Sequence, residues 1–318
     1  MKQAWIRILQ VTLKSEKLGR QITFGSLNQS SGWEPSISVK GYKYVGFMKD
    51  NCTITINNLS YTEIVEIMTG EYFDVQVDCG YKNGSIFTIF KGSILYISNS
   101  VDDRETNVVT ILCGSELLGR FSKNRLKLNF NSGINLYSAL QFVCKLQGIK
   151  NTNISTQLKT QFIQEIANVN DNTSGYLESL MELTTSYVGN SDASLGSTFS
   201  FFDASKSSNR IILINNQMVD ITNGHPHLNE DGLTLTVSPT QQYLCTDVIQ
   251  IDNSIIQLEE VTSTDQLSKL YGVYLDKDGQ YMIYQIQYSL ENRGAPFSIN
   301  LTCKSRALVA LLNLGGTT

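Results

Sequence analysis

Residues 102–115 read DDRETNVVTILCGS and residues 291–305 read ENRGAPFSINLTCKS. Each stretch runs from an acidic or amide turn containing Arg, through a strand, to a Cys two positions before a Ser. Each also follows an apolar run, Ile94 to Ser98 in the first case and Tyr281 to Leu290 in the second, so both are expected to be β-hairpins with solvated tips. From Arg to Cys the separation is nine residues in one (104 to 113) and ten in the other (293 to 303). Two readings account for this echo: a chance likeness of two amphipathic hairpins, or a β domain present twice with the intervening segment as an insertion. Under the second reading, three chains would present six similar edges.

Strands dominate the sequence before the first hairpin. Trp5, Leu9, Val11 and Leu13 share one face of a strand, with Ile6 and Ile8 on the other. Cys52, Ile54 and Ile56 alternate with Thr53, Thr55 and Asn57, the one-sided pattern of an antiparallel sheet. Further strands are expected at Phe73 to Cys79, Ile86 to Phe90 and Asn107 to Cys113. Ser60-Tyr61-Thr62-Glu63 is a capping box, in which the Ser hydroxyl accepts the amide of Glu63 and the Glu carboxylate reaches back to the amide of Ser60. A short helix should follow, with Ile64, Val65 and Met68 on one face and Gly70 at its end.

Composition and period change near Asn131, where Ser132 can cap a helix carrying Leu136, Leu140, Val143 and Cys144 and ending at Gly148. A second amphipathic segment places Tyr176, Leu180, Leu183 and Tyr187 on one stripe. Apolar runs on either side of residues 203–209 suggest a hairpin between Phe199 and Ile214. Period two returns at Leu233, Leu235 and Val237, ended by Pro239. Three domains are therefore expected: a β domain over 1–130, an α+β domain over 131–232 and a second β domain over 233–318.

With 318 residues, the chain is long enough for several cores. Hydrophobic residues make up 41% and charged residues 17%, against a usual charged share of roughly 25%, which describes a folded chain with a weakly charged surface. The 25 basic and 29 acidic residues leave a net charge of -4 and a pI near 5.3, so nothing drives the chain toward a phosphate backbone or an anionic membrane. No run approaches the ~20 apolar residues of a membrane span. Met1 to Thr12 alternates where a signal peptide would be solidly apolar, so folding in a cytoplasm is expected. The six cysteines are widely spaced with no C-x-x-C, the pattern of free, buried thiols.

Catalytic chemistry is not apparent. His225 and His227, in Gly224-His225-Pro226-His227, have no acidic or thiol ligand at zinc spacing and read as loop residues. No G-x-S-x-G elbow, Walker A loop, G-x-G-x-x-G or H-E-x-x-H occurs. The carboxylate pairs Asp102-Asp103 and Glu259-Glu260 are adjacent, and on a strand such neighbours point to opposite faces. Asp276-Lys277-Asp278-Gly279 lacks the further oxygen ligands of a calcium loop and reads as a tight turn. Neither an enzyme nor a cofactor or metal is expected.

Five stretches carry a family likeness: ITINNLSYTEIVEI at 54–67, FTIFKGSILYISNS at 87–100, RLKLNFNSGINLYSAL at 125–140, DGQYMIY at 278–284 and FSINLTCKSR at 297–306. In this order they resemble phage tail baseplate hub proteins, tail-tube-like hubs related to the spike hubs of contractile injection systems. That resemblance implies a mainly β fold with an α+β middle domain, in which two tail-tube-like antiparallel β-barrel domains are separated by a helix-containing domain. It also implies a homotrimer forming a pseudo-sixfold ring that adapts a sixfold tail tube to a threefold spike and lines the DNA exit channel. The partners implied are a second and third copy of the chain, a tail tube protein, a central spike protein and a tape-measure protein. DNA would be met only in transit and no membrane would be involved. The chain would act in the baseplate of the virion after synthesis in the host cytoplasm. Asp102, Asp103 and Arg104 at one hairpin tip, with Asn292 and Arg293 at the other, are the expected inter-subunit or hub-to-tube contacts. The alternatives are a tail-tip module that binds host-surface saccharide through some of its 15 tyrosines, or a peptidoglycan-cleaving tail enzyme.

Overall fold

The computed structural model describes residues 6–25, 35–45, 50–101, 106–115, 125–149, 152–163, 167–172, 177, 187–192, 198–203, 210–215, 218–219, 224–229, 232–258 and 278–305. Trp5, Asp102, Asp103, Arg104, Tyr176, Leu180, Leu183, Glu259, Glu260, Asp276 and Lys277 lie outside them.

Through the first hairpin the chain forms β1 (Arg7–Ser15), β2 (Arg20–Gly25), β3 (Ser36–Tyr44), β4 (Asn51–Asn57), α1 (Tyr61–Thr69), β5 (Asp74–Tyr81), β6 (Ile86–Val101) and β7 (Asn107–Gly114). The middle contributes β8 (Arg125–Phe130), α2 (Leu136–Leu146), β9 (Thr152–Ile154), β10 (Ala167–Asn172), β11 (Tyr187–Asp192) and β12 (Thr198–Asp203). The remainder holds β13 (Ile211–Leu213), β14 (His227–Asn229), β15 (Gly232–Val237), β16 (Val248–Gln250), β17 (Gln257–Leu258), β18 (Gln280–Glu291) and β19 (Phe297–Ser305). Among the described residues the fold is mainly antiparallel β, with parallel pairing only at β9–β12, β13–β16 and β14–β17.

One 14-stranded sheet runs in the order β17-β14-β15-β19-β18-β3-β4-β7-β6-β5-β1-β2, with β16 and β13 branching from β18. Strands from both ends of the chain therefore share one sheet. They also share one core, which extends from Leu9, Val11 and Leu13 to Leu301 and Cys303. A second core gathers Phe130, α2 residues, Leu158, Ile163, Leu177, Phe199 and Phe201. Around it stand a two-stranded sheet of β8 and β10 and a three-stranded sheet of β9, β11 and β12.

The capping box at α1 forms as the sequence predicts: Ser60 Oγ accepts from the Glu63 amide at 3.3 Å, and Glu63 Oε2 accepts from the Ser60 amide at 2.8 Å. The buried stripe differs from expectation, because Ile64 and Ile67 are buried while Val65 and Met68 are exposed. Residues three apart on a helix share a face, and here the core lies on the side of Ile67. Gly70 does end the helix, yet its φ is -75°; Glu71 takes the left-handed turn at φ 49°. A Cβ at Gly70 would overlap the Tyr72 ring and the Glu66 carbonyl, so the glycine is there for space.

Helix α2 is capped by Asn135 and not by Ser132: Asn135 Oδ1 accepts from the Ser138 amide at 2.8 Å. Its expected stripe is buried, joined by Ala139. Tyr187, expected on a helix, opens β11. The hairpin expected between Phe199 and Ile214 does not form. Strand β12 sits in the small sheet with Phe199 and Phe201 in the second core, while β13 pairs with β16 and Ile212 enters the main core. The two strands expected at Ile86 to Phe90 and Ile94 to Ser98 are one 16-residue strand, β6, with a bulge between Ile94 and Tyr96. Gly92 permits its continuity, since a Cβ there would overlap the Gly114 carbonyl. Gly279 takes φ 64°, while Asp276 and Lys277 of the turn expected there lie outside the described residues.

All six cysteines are free and buried. Burial pushes the Cys52 and Cys144 thiols up to about 12 and raises those of Cys79, Cys113 and Cys303 as well. The unfolded thiols ionise near pH ~8.5, so the folded state holds protons that the unfolded state loses. Stability is therefore whole below that pH and declines as pH rises toward the folded values. We expect urea unfolding to be independent of pH between 6 and 8 and to weaken above about 9, by up to ~1.4 kcal/mol per pH unit for each thiol in its titration window. A thiol reagent such as Ellman's should leave the native chain unlabelled and react with six thiols after denaturation.

Candidate assembly interface

Comparison of strand registers shows that one plan is built twice in the main sheet. Between β4 and β7, Cys52 lies opposite Cys113, Ile54 opposite Ile111 and Ile56 opposite Val109. Between β15 and β19, Leu233 lies opposite Cys303, Leu235 opposite Leu301 and Val237 opposite Ile299. In each hairpin the register slips at the Cys, between Ile94 and Tyr96 as β6 passes Cys113, and between Ile283 and Gln285 as β18 passes Cys303. On the next strand out, β5 sets Val75 opposite Gly92 and Gln76 opposite Lys91, as β16 sets Ile249 opposite Tyr281 and Gln250 opposite Gln280. Superposing Cys113 on Cys303 thus aligns Cys52-Thr53-Ile54-Thr55-Ile56 with Leu233-Thr234-Leu235-Thr236-Val237. It also aligns Val75-Gln76-Val77-Asp78 with Ile249-Gln250-Ile251-Asp252. A fifth pair corresponds, since β3 flanks β4 and β14 flanks β15 in antiparallel register. A chance likeness of two hairpins would not carry neighbouring strands and a bulge into common register.

The two copies meet where β18 pairs with β3, residues 285–291 against 38–44. Asn292 anchors one end of this seam: its Oδ1 accepts from the Ile37 amide at 2.8 Å, its Nδ2 donates to the Pro35 carbonyl at 2.8 Å, and its own amide donates to the Ile37 carbonyl at 3.1 Å. At its centre the Tyr288 ring lies over Gly41, and its hydroxyl donates to the Asn51 carbonyl at 3.2 Å. Burial, the adjoining Cys52 and the nearby Asp50 push the Tyr288 hydroxyl well up. Gln287 Nε2 also donates to the Tyr42 hydroxyl at 3.3 Å. Also in the seam, Lys43 is 2% exposed and its Nζ donates to the Tyr243 carbonyl at 3.5 Å. Gln242 Nε2 donates to the Thr88 carbonyl of β6 at 3.0 Å, and Arg7 contacts Gly294 and lies 5.1 Å from the Phe297 ring centroid.

Of the expected contact residues, Asn292 thus holds the two copies together within one chain, and Arg293 is exposed at the same turn. Asp102, Asp103 and Arg104 fall outside the described residues. Gly41, Tyr288 and Lys43 were not anticipated. A glycine inside an alternating strand signals close backbone approach, and Lys40-Gly41-Tyr42 carries that signal. His225 borders a cavity of about 320 Å3 with Val219, Pro226, Ser254, Ile255, Ile256 and Gln257, none of which among the described residues is a carboxylate or thiol. Among the described residues no three His, Cys, Asp or Glu side chains stand together as metal ligands would.

No protein-family model matches the chain, and no curated protein sequence matches it. Solved structures do. The 43 kDa tail protein of prophage MuSo2 from Shewanella oneidensis is similar with a TM-score of 0.57 at 10% identity, covering 96% of this chain and 98% of that one. The tail protein from Neisseria meningitidis MC58 gives a TM-score of 0.57 at 10% identity, covering 96% and 99%. The Escherichia coli c3393 protein is a component of the type VI secretion system with structural similarity to the T4 tail proteins gp27 and gp5. It gives 0.54 at 10% identity, covering 86% of this chain and 75% of that one. The fold is shared with the Shewanella and Neisseria tail proteins over nearly the whole chain.

The seam makes a direct prediction. Gly41→Ala forces a methyl group into the Tyr288 ring and the Asn51 carbonyl and should destabilise the chain by about 1–3 kcal/mol. Asn292→Ala strands the Ile37 amide and should cost a similar ~1–3 kcal/mol. Both shifts are measured as urea midpoints at unchanged m-value.

Proposed function

We propose that this chain is a structural subunit of a phage tail baseplate hub, a homotrimer whose six similar β units form a pseudo-sixfold ring between a sixfold tail tube and a threefold spike. The observation that carries this reading is the five-strand plan built twice in one chain, within a fold shared end to end with tail proteins. A chain that repeats its plan lets three molecules stand where six would, which is what a junction between threefold and sixfold parts requires. In this reading residues 1–130 and 233–318 are the tube-like units and 131–232 is the intervening domain, whose α2 and β9 to β12 surround a second core while its β13 and β14 join the main sheet.

Partners in the assembly are two further copies, the tail tube protein, the central spike and the tape-measure protein, with DNA only passing through. A net charge of -4 suits a lumen that must not retain DNA. Asp102, Asp103, Arg104 and Arg293 are proposed to contact neighbouring subunits or the tube, and Asn292 is proposed to support the same turn. The role is mechanical and not catalytic: the neighbouring folds are tail proteins, and buried thiols held protonated are poor nucleophiles. The place of action is the baseplate of the virion, after synthesis in the host cytoplasm.

Light scattering on the purified chain should give three times the 35.5 kDa chain mass, and negative-stain images should show rings with a central hole. A discrete species of another stoichiometry, or compact particles without a hole, would remove the reading.

A further inference from the structure

Strand β18 forks at its bulge. Below it, residues 280–282 pair with β16; above it, residues 285–291 pair with β3 of the other copy. Strand β6 is its counterpart and forks at the same place. Residues 86–93 pair with β5, but residues 96–101 have β7 on one side and, among the described residues, no strand on the other. Side chains show the same vacancy. Leu290 is 0% exposed and its counterpart Val101 is 63% exposed; Tyr288 is 1% exposed and its counterpart Asn99 is exposed. Tyr96, at 60% exposure, pairs with Leu112, at 40%, and Leu95 is exposed beside them. Leu95, Tyr96 and Val101 stand on the strand whose edge is open, with Leu112 next to Tyr96 on β7, an arrangement that folded proteins normally cover.

The cover that the plan calls for is the counterpart of β3, which is β14. Among the described residues that strand stands at the far end of the sheet, with β17 as its outer neighbour. Within one chain β14 does not reach β6. We infer that residues 96–101 of one molecule pair with the β14–β17 end of the sheet in a second copy, repeating between molecules the β18–β3 seam found inside each. The two surfaces differ, so the contact is head-to-tail and continues until it closes into a ring. Carrying the seam register across sets Ser100 beside the second copy's His227, or beside its Gln257 where β17 stays in place. This inference deepens the ring reading and rests on it for closure.

Two variants test it. Val101→Lys puts a charge on an already exposed position, so circular dichroism and the urea midpoint should match the parent chain. The concentration at half-dissociation of the assembly should rise at least about tenfold. Met68→Lys, at an exposed site on α1, should leave assembly unchanged. Ser100→Cys combined with His227→Cys or with Gln257→Cys should give disulfide-linked dimers and trimers under mild oxidation, because the native thiols are buried. Ser100→Cys with Arg20→Cys on β2 should not. If the parent chain assembles while Val101→Lys assembles equally and neither pair cross-links, the edge pairing is wrong and the ring stands on other contacts. A parent chain that stays monomeric at every concentration overturns the pairing and the ring together.

Discussion

The backbone of β3 has to be satisfied on both sides, and the rest of the structure depends on how it is. Ile37 and Val39 are fully buried, so the amides and carbonyls between them cannot turn to water. One side is taken by β4, next in sequence, and the other by β18, some 250 residues further on in the chain. Gly41 and Tyr288 make that approach possible, since the aromatic ring fills the space that a side chain on β3 would occupy. From this pairing follow the single sheet, the single main core and the placement of two like hairpins in one molecule.

Polar groups reinforce the same joint. Lys43 near the end of β3 and Asp50 just before β4 are almost wholly buried, and Asp50 accepts from the Tyr44 amide at 3.3 Å. Asp247 is buried too; it accepts from the Leu244 amide at 2.9 Å and from Arg210 at 2.6 Å, while its carbonyl accepts from the Ile283 amide at 2.8 Å. Buried charges of this kind add little net stability over apolar residues, but losing one partner is strongly destabilising, so they favour one arrangement over its competitors. The segment around Tyr243 is thereby held against β3 and, through Gln242, against β6.

Much of this was readable in the residues. The alternation in Cys52 to Asn57 and Leu233 to Val237, the capping box at Ser60 and the helix face of Leu136, Leu140 and Val143 all appear where the pattern places them. The Cys-x-Ser echo led to the hairpins that turn out to share a bulge. Other features were hidden. Phe199 to Asp203 and Ile211 to Leu213 look like partners, yet they enter different cores, because an apolar run records that it is buried and not against what. The sequence points to Ser132 as the cap of α2 and the structure uses Asn135, because both residue types cap well and only the path of the preceding loop separates them.

By itself the sequence determined most of the strands, the positions of α1 and α2, and that two of its hairpins follow one plan. These properties live in neighbours two to four residues apart, where side-chain period and local hydrogen bonding act. Only the tertiary structure decided that β18 lies on β3, that β6 runs unbroken through its bulge, and that among the described residues no second strand pairs with residues 96–101. Strand pairing is made by backbone groups that every residue carries alike, so the choice of a distant partner is settled by the fit of whole surfaces, such as a tyrosine ring over a glycine.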